Sequence, residues 1–253
     1  MYYREYPPHP TLSANVDCMW TARVLSVAPG RAHTHRVLPD NCVDILWQDA
    51  GRPAFAVGMM SSAILVASAG PVSTVAVRFK PGAAGAFLAT PLHALTDQRA
   101  DIELLWGHSD ADRLADALWS NALTDRERIA LIEAELLRRL RDVGPAAGAG
   151  ALIRSALGAL DTSGGGIRID DLAAQLGVSR QHLGAQFRAR VGLSPKLYAR
   201  ICRFRRATAA LKASPSPDWA RLALDCGYFD QSHLIHDFQE FAGSAPERFL
   251  SAA

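Results

Sequence analysis

The sequence predicts an α+β multidomain chain: an N-terminal small β-barrel or sandwich with helices, then an all-α C-terminal domain with two helix-turn-helix units joined by a long helix. Three observations predict it. Short strand-like alternations separated by Gly and Pro fill the stretch up to Pro81. Beyond Pro81 the apolar residues recur at helical spacing instead. Two C-terminal stretches, about 169–190 and 219–243, each read as a short helix, a glycine turn and a second helix that opens with polar side chains.

The 253 residues suffice for two ordinary domains, each burying a core without disulfides or metal. A 49% hydrophobic and 21% charged composition is that of a soluble globular protein. Cys18, Cys42, Cys202 and Cys226 form no CxxC pair, which argues against a disulfide framework and for a reducing compartment. Met1–Pro10 is polar and proline-rich, unlike a secretory segment, and no apolar run reaches the length of a membrane span. A cytoplasmic location with no membrane partner is the expectation. From residue 152 onward thirteen Lys and Arg face nine Asp and Glu, so a +4 C-terminal part adjoins a −2 remainder. That asymmetry suits a nucleic-acid module joined to something else.

In the N-terminal part, Ala14–Val27 sets Val16, Cys18, Trp20 and Ala22 on one side and Asp17, Thr21 and Arg23 on the other, as a half-buried strand does. Val37–Leu38 and Cys42–Gln48 flank a Pro39-Asp40-Asn41 turn, and Ala54–Met59, Ile64–Ala67 and Thr74–Phe79 follow as strands. Helices are expected at Ala83–Ala89, Leu104–Trp106, Asp110–Ser120 and Asp125–Val143. The last carries an apolar stripe of Ile129, Ile132, Leu136, Leu137, Leu140 and Val143, which either packs on its own domain or pairs with its copy in a homodimer. Gly144–Gly150 (GPAAGAG) divides the chain into an N-terminal domain at 1–143, a linker at 144–150 and a C-terminal domain at 151–253. Thr162–Gly166 reads as a second, flexible connector after a helix at Ala151–Asp161.

The two units follow one plan. In the first, Asp170 and Asp171 favour a helix N-terminus, Leu172, Ala173 and Leu176 face inward, Gly177 turns, Val178 plugs the angle and Ser179 caps the second helix. Leu183 and Phe187 then point inward, which leaves Arg180, Gln181, Gly184, Ala185 and Arg188 outward. In the second, Trp219, Leu222 and Ala223 face inward, Gly227 turns, Asp230 caps and Leu234, Phe238 and Phe241 bury. Gln231, Ser232, His233 and His236 remain outward. Short polar side chains at the start of such a helix reach base edges in a major groove, while Arg180, Arg188 and Arg190 suit phosphates. Pro195–Leu211, with Arg200, Arg203, Arg205 and Arg206, reads as a solvated helical spacer.

Ile169-x-x-Leu172-Ala173, Gly177-x-Ser179, His182-Leu183, Phe187, Gly192-x-Ser194-Pro195, Tyr198, Arg203, Ala207, Leu211, Ala220, Ala223, Gly227-Tyr228, Ser232, Leu234, Phe238, Gly243, Ala245-Pro246 and Arg248 resemble the DNA-binding domain of AraC/XylS-type bacterial transcription regulators. The resemblance implies a protein that binds double-stranded promoter DNA through two recognition helices in successive major grooves, with RNA polymerase and a second copy of the chain as further partners. It also implies a sensor and dimerisation domain at 1–143 and a DNA-binding domain at 151–253. Carried over by position, base contacts fall to Gln181, Gly184 and Ala185, and to Gln231, Ser232, His233 and His236, with Ser179, Arg180, Arg188 and Arg190 beside them. Gly184 and Ala185 stand where long polar residues are common in that family, so the second unit is expected to supply most hydrogen-bond readout. Phe229 is taken as the family's buried phenylalanine before the second cap.

Val37-Leu38-Pro39-Asp40 and Arg78-Phe79-Lys80-Pro81-Gly82 resemble an N-terminal domain of some such regulators, with mostly unassigned ligands. From side-chain chemistry, Trp20, Asp44, Trp47 and Arg78 are the candidates for holding a small-molecule effector, each with an alternative place in the core or on the surface. His33 and His35, with Cys18 or Cys42, lack a zinc-like spacing, so neither a metal nor another cofactor is expected. GxSxG, P-loop, dinucleotide and HExxH motifs are absent, which speaks against an enzyme. The alternative function is a metal- or small-molecule-binding sensor whose helical module mainly recruits partners.

Overall fold

A computed structural model describes residues 2–27, 32–49, 53–120, 122–143, 150–213 and 217–251. Strands β1 (Tyr2–Tyr6), β2 (Val16–Val24), β4 (Val43–Gln48), β5 (Phe55–Val57), β7 (Val72–Phe79) and β8 (Arg99–Asp101) form an antiparallel sheet in the order β1-β2-β7-β4-β5-β8. Strands β3 (His33–Val37) and β6 (Ile64–Ser68) pair separately as a two-stranded ribbon. The expected barrel is therefore not closed. Among the described residues β1 and β8 remain edges, and helices rather than further strands cover the inner face.

Those helices are α1 (Gly85–Leu88), α2 (Ile102–Trp106), α3 (His108–Trp119) and α4 (Asp125–Val143). Val43, Ile45, Trp47, Val75, Val77 and Phe79 on the sheet share one buried cluster with Phe87, Leu88, Ile102, Leu114, Leu118, Ile129, Ile132 and Leu136. The α4 stripe from Ile129 to Leu140 thus packs on its own domain. Asp125 at the start of α4 accepts hydrogen bonds from Tyr6, Thr21 and Arg23, which ties the helix to the sheet edge. The β2 alternation differs from expectation because the register shifts between Val16 and Cys18. This irregularity puts Val16 and Met19 in the inner core, while Cys18, Trp20 and Ala22 join Ala76 on the opposite face.

The C-terminal part comprises α5 (Ala151–Thr162), α6 (Ile169–Gln175), α7 (Arg180–Val191), α8 (Pro195–Ala213), α9 (Trp219–Asp225), α10 (Gln231–Ala242) and α11 (Pro246–Ser251). Residues 144–149 of the expected linker lie outside the described residues. The expected flexible connector at Thr162–Gly166 is instead a packed turn. Gly165 has φ +77°, and a Cβ there would meet the Ala199 carbonyl oxygen at 2.0 Å. Arg203 donates to the Gly165 carbonyl at 2.7 Å.

Helix α8 is no solvated spacer. Tyr198 and Ala199 belong to the core of the first unit, with Ile153, Leu160, Leu172, Leu183 and Phe187. Ile201, Phe204, Ala207 and Leu211 belong to a cluster with Leu234, Phe238 and Phe241 of the second unit. That same cluster contains the sheet core, so the N-terminal and C-terminal parts pack together.

Their junction is specific. Asn41 is fully buried in the left-handed region (φ 67°), and its amide donates to the Tyr198 carbonyl at 3.3 Å and to Cys202 Sγ at 3.5 Å. Arg205 donates to the Asp40 carbonyl at 3.1 Å, and Thr96 Oγ1 to the Gly192 carbonyl at 3.0 Å. Gly192 ends α7 at φ +96°, and a Cβ there would lie 1.9 Å from Met59 Cε and 2.9 Å from the Leu92 carbonyl oxygen. Gly192→Ala is expected to cost about 1–3 kcal/mol through strain and overpacking. Urea unfolding checks it, and an unchanged midpoint would contradict the tight junction.

Candidate nucleic-acid interface

Both units reach the predicted geometry by the same local means. Gly177 (φ +67°) and Gly227 (φ +81°) adopt the left-handed conformation that lets the chain reverse between two closely packed helices. In each turn the next residue's amide closes back on the first helix, Val178 N to Ala173 O at 3.1 Å and Tyr228 N to Ala223 O at 2.9 Å. Ser179 and Asp230 then cap α7 and α10, accepting from His182 N at 3.1 Å and His233 N at 2.7 Å.

On α7, Leu183, Phe187 and Val191 are buried, whereas Arg180, Gln181, Ala185, Arg188 and Arg190 are exposed and Gly184 is half-buried. Arg180 forms an exposed ion pair with Asp170 at 3.2 Å, a weak and easily exchanged partner for a residue suited to phosphate. On α10, Leu234, Asp237, Phe238, Phe241 and Ala242 are buried. Ser232 and His236 are exposed, and Gln231 and His233 half-buried. The His233 ring stands edge-on to Tyr228, 5.2 Å between centroids, so it is less free than its outward position implied. His236 lies 3.8 Å from carboxylate oxygens of both Asp237 and Glu240.

The α8 arginines hold the units together. Arg200 donates to Asp237 Oδ1 from Nη2 at 2.6 Å and from Nε at 3.1 Å, and it also contacts Glu240. Asp237 is fully buried on the rear of the second recognition helix, so this ion pair fixes α10 against α8. Hydrogen bonding to Arg200 holds the Glu240 carboxyl below its usual range.

Phe229 contradicts the expectation of burial: it is 86% exposed, and the buried aromatic is Tyr228. The two units explain why. Val178, just before the first cap, packs into the first core, a hydrophobic staple for the helix that follows. In the second unit Tyr228 takes the interior, under Arg203, and the next residue is turned outward.

The four effector candidates fall on two faces of the N-terminal sheet. Asp44 and Arg78 oppose each other across β4 and β7 and form a bidentate pair at 3.0 and 3.0 Å, with Asp40 at 3.5 Å. Trp20 shares their face, its ring 5.7 Å from that of Tyr3. Burial pushes the Asp44 carboxyl up to about 6 against the opposing charge of Arg78. Trp47 is separated from this group, buried on the inner face 6.0 Å from Trp106. His33 and His35 sit on the β3–β6 ribbon and do not gather with Cys18 and Cys42 into a metal-binding group among the described residues. Burial pushes the Cys18 thiol up to about 12 and the Cys42 thiol well above its ordinary value, which keeps both protonated.

Sequence reasoning missed the Asp40-Asn41 contact with α8. Its signal was an Asn in a Pro-Asp-Asn turn, a residue that tolerates the left-handed region.

Comparison with known proteins bears on both parts. Residues 172–252 match a family model described as a helix-turn-helix domain, and residues 4–101 match a domain of unknown function, DUF6597. No curated protein matches the chain. Among solved structures, unsaturated-fatty-acid-bound ToxT from Vibrio cholerae is 13% identical, with a TM-score of 0.48 over 93% of this chain and 96% of that one. The C-terminal domain of AraT, a response regulator from Geobacillus stearothermophilus, is 20% identical, with a TM-score of 0.39 over 42% and 88%. The DNA-binding domain of AdpA, a global transcriptional factor in complex with a target DNA, is 25% identical, with a TM-score of 0.37 over 40% and 90%.

Two capped, glycine-turned units on one shared helix define a helix-turn-helix DNA-binding protein. Residues 172–252 are the part of the chain that the helix-turn-helix family model matches.

Arg200→Ala strands the buried Asp237 carboxylate and is expected to destabilise the fold by about 3–5 kcal/mol. Phe229→Ser is expected to stay within about 0.5 kcal/mol of the wild type, as for exposed positions generally. Denaturant unfolding of both variants checks the pair, and comparable losses would contradict this assignment of rear and outer faces.

Proposed function

We propose that the chain is a sequence-specific regulator of promoter DNA, controlled by a small-molecule effector in its N-terminal domain. The observation that carries the DNA part is the repeated presentation of polar side chains at the capped starts of α7 and α10. Gln181 and Gln231 offer paired donor and acceptor atoms suited to adenine, and Ser232 and His236 offer shorter contacts. Arg180, Arg188 and Arg190 supply phosphate contacts around the first helix, with the hydroxyl of Ser179 at its cap. Residues 1–143 act as sensor and dimerisation domain, 144–150 as linker and 151–253 as DNA-binding domain, in the cytoplasm, with RNA polymerase and a second copy of the chain as partners.

Effector control has a physical route. Arg78 couples to Asp44 and Asp40, and the Asp40-Asn41 turn is hydrogen-bonded to α8, which carries both recognition units. A ligand that changes this turn's position shifts the population of DNA-binding arrangements, provided it binds one arrangement more tightly than the other.

Gln231→Ala and His236→Ala are expected to relax sequence preference, whereas Arg188→Ala weakens binding to all duplexes alike. The check is titration of the full chain against duplexes enriched from a random pool and against random duplexes, at two salt concentrations. Equal losses on both for Gln231→Ala would overturn its role. Loosening the junction by Asn41→Ala is expected to raise affinity for the enriched duplex about fivefold or more. Unchanged affinity would sever the turn from DNA control.

A further inference from the structure

The two helix-turn-helix units differ by one residue in their turns. In the first, Val178 alone separates Gly177 from the cap residue Ser179, whereas in the second Tyr228 and Phe229 together separate Gly227 from the cap residue Asp230. Val178 and Tyr228 fill equivalent places, because each closes its backbone amide onto the first helix of its unit and each packs toward the interior. Phe229 is thus the added residue, without a counterpart in the first unit. It is 86% exposed.

The addition falls at the leading end of α10. Tyr228 is buried and Asp230 is extended at φ −156° and ψ 177°, so Phe229 between them is turned outward immediately before Gln231 and Ser232. Residues at this end of a recognition helix are the ones that meet base edges in a major groove. Leu224, 64% exposed, precedes the same turn, and these two are the exposed large apolar residues of the C-terminal part among the described residues. The Phe229 ring carries no charge and no hydrogen-bonding atom, so neither a phosphate nor a polar base edge answers it. The 5-methyl group of thymine is the apolar feature that a major groove offers.

We infer that Phe229 is a specificity-determining residue whose ring packs on a thymine 5-methyl group beside the bases met by Gln231 and Ser232. The inference rests on the reading of the chain as a sequence-specific DNA-binding regulator, and it adds an apolar contact to the hydrogen-bond readout of the second unit. A turn longer by one residue thereby gives the two units different chemistry at the same point of their recognition helices.

The test is titration of the full chain, wild type and Phe229→Ser, against the enriched duplex and against versions in which each thymine in turn is replaced by deoxyuridine, which deletes the 5-methyl group alone. At one thymine the wild type is expected to lose about threefold or more in affinity with the methyl group. Phe229→Ser is expected to bind the parent duplex more weakly by a similar factor and to show no further loss at that position, as two changes to one contact do. Methyl groups met by other residues, Ala185 among them, keep their effect in the variant. Denaturant unfolding of Phe229→Ser, with an unchanged midpoint, places the loss at the DNA rather than in the fold. A variant that binds the parent duplex as the wild type does overturns the contact and leaves the Leu224 and Phe229 surface to a protein partner. A variant that keeps every methyl dependence of the wild type overturns it as well. A wild-type chain that enriches no duplex overturns the proposed function itself, whereas one that binds its duplex without this methyl dependence overturns the role of Phe229 alone.

Discussion

The ion pair between Arg200 and the fully buried Asp237 is the contact on which the DNA-binding architecture depends. A carboxylate sealed behind a recognition helix is tolerable only with its guanidinium in place, and the guanidinium comes from the helix shared with the other unit. The second recognition helix therefore cannot change its angle to α8 without separating a buried charge pair. On the first unit the corresponding restraint is packing, with Phe187 edge-on to Tyr198 at 5.5 Å and the Tyr198 hydroxyl donating to Asp161 at 2.8 Å. Both units pack on α8, the second through Phe204 against Phe238 and Phe241 with the buried ion pair added, and α8 is the member common to both.

The same helix is where the N-terminal domain takes hold. The Asp40-Asn41 turn touches α8 at Tyr198, Cys202 and Arg205, between the groups that fix the two units. On the sheet side, Asp40 also contacts Arg78, whose main partner Asp44 lies within the strand. A buried polar contact of this kind has few intermediate arrangements, since a displaced Asn41 amide would lose both acceptors at once. That property makes the turn a candidate bistable element.

Much of the C-terminal domain was legible in the sequence, because its features are local. Gly177 and Gly227 mark turns that need positive φ, Ser179 and Asp230 cap the helices they precede, and the apolar spacing separates buried from exposed faces. The exceptions came from choices between neighbours. Tyr228 and Phe229 are adjacent aromatics, and only the tertiary space under Arg203 decides which one turns inward. The α8 arginines read as solvated because their partners, Asp237, Gly165 and Asp40, lie far off in sequence. In the N-terminal domain β1 and β8 were missed: one opens the chain without a preceding turn, and the other has three residues. The irregularity at Val16–Cys18 reversed the predicted sidedness of Trp20, since a one-residue slip exchanges the two faces of a strand. Of the effector candidates, Asp44 and Arg78 were named separately, and only the strand register shows that they pair and that Trp47 belongs to the other face.

Hydroxyl-radical footprinting of the full chain on an enriched duplex tests the central claim most directly, because it reads the spacing that α8 imposes. The account predicts two protected patches on one face of the DNA, about one helical turn apart. A single protected patch, or two whose separation varies from duplex to duplex, would contradict a rigid pair of recognition helices.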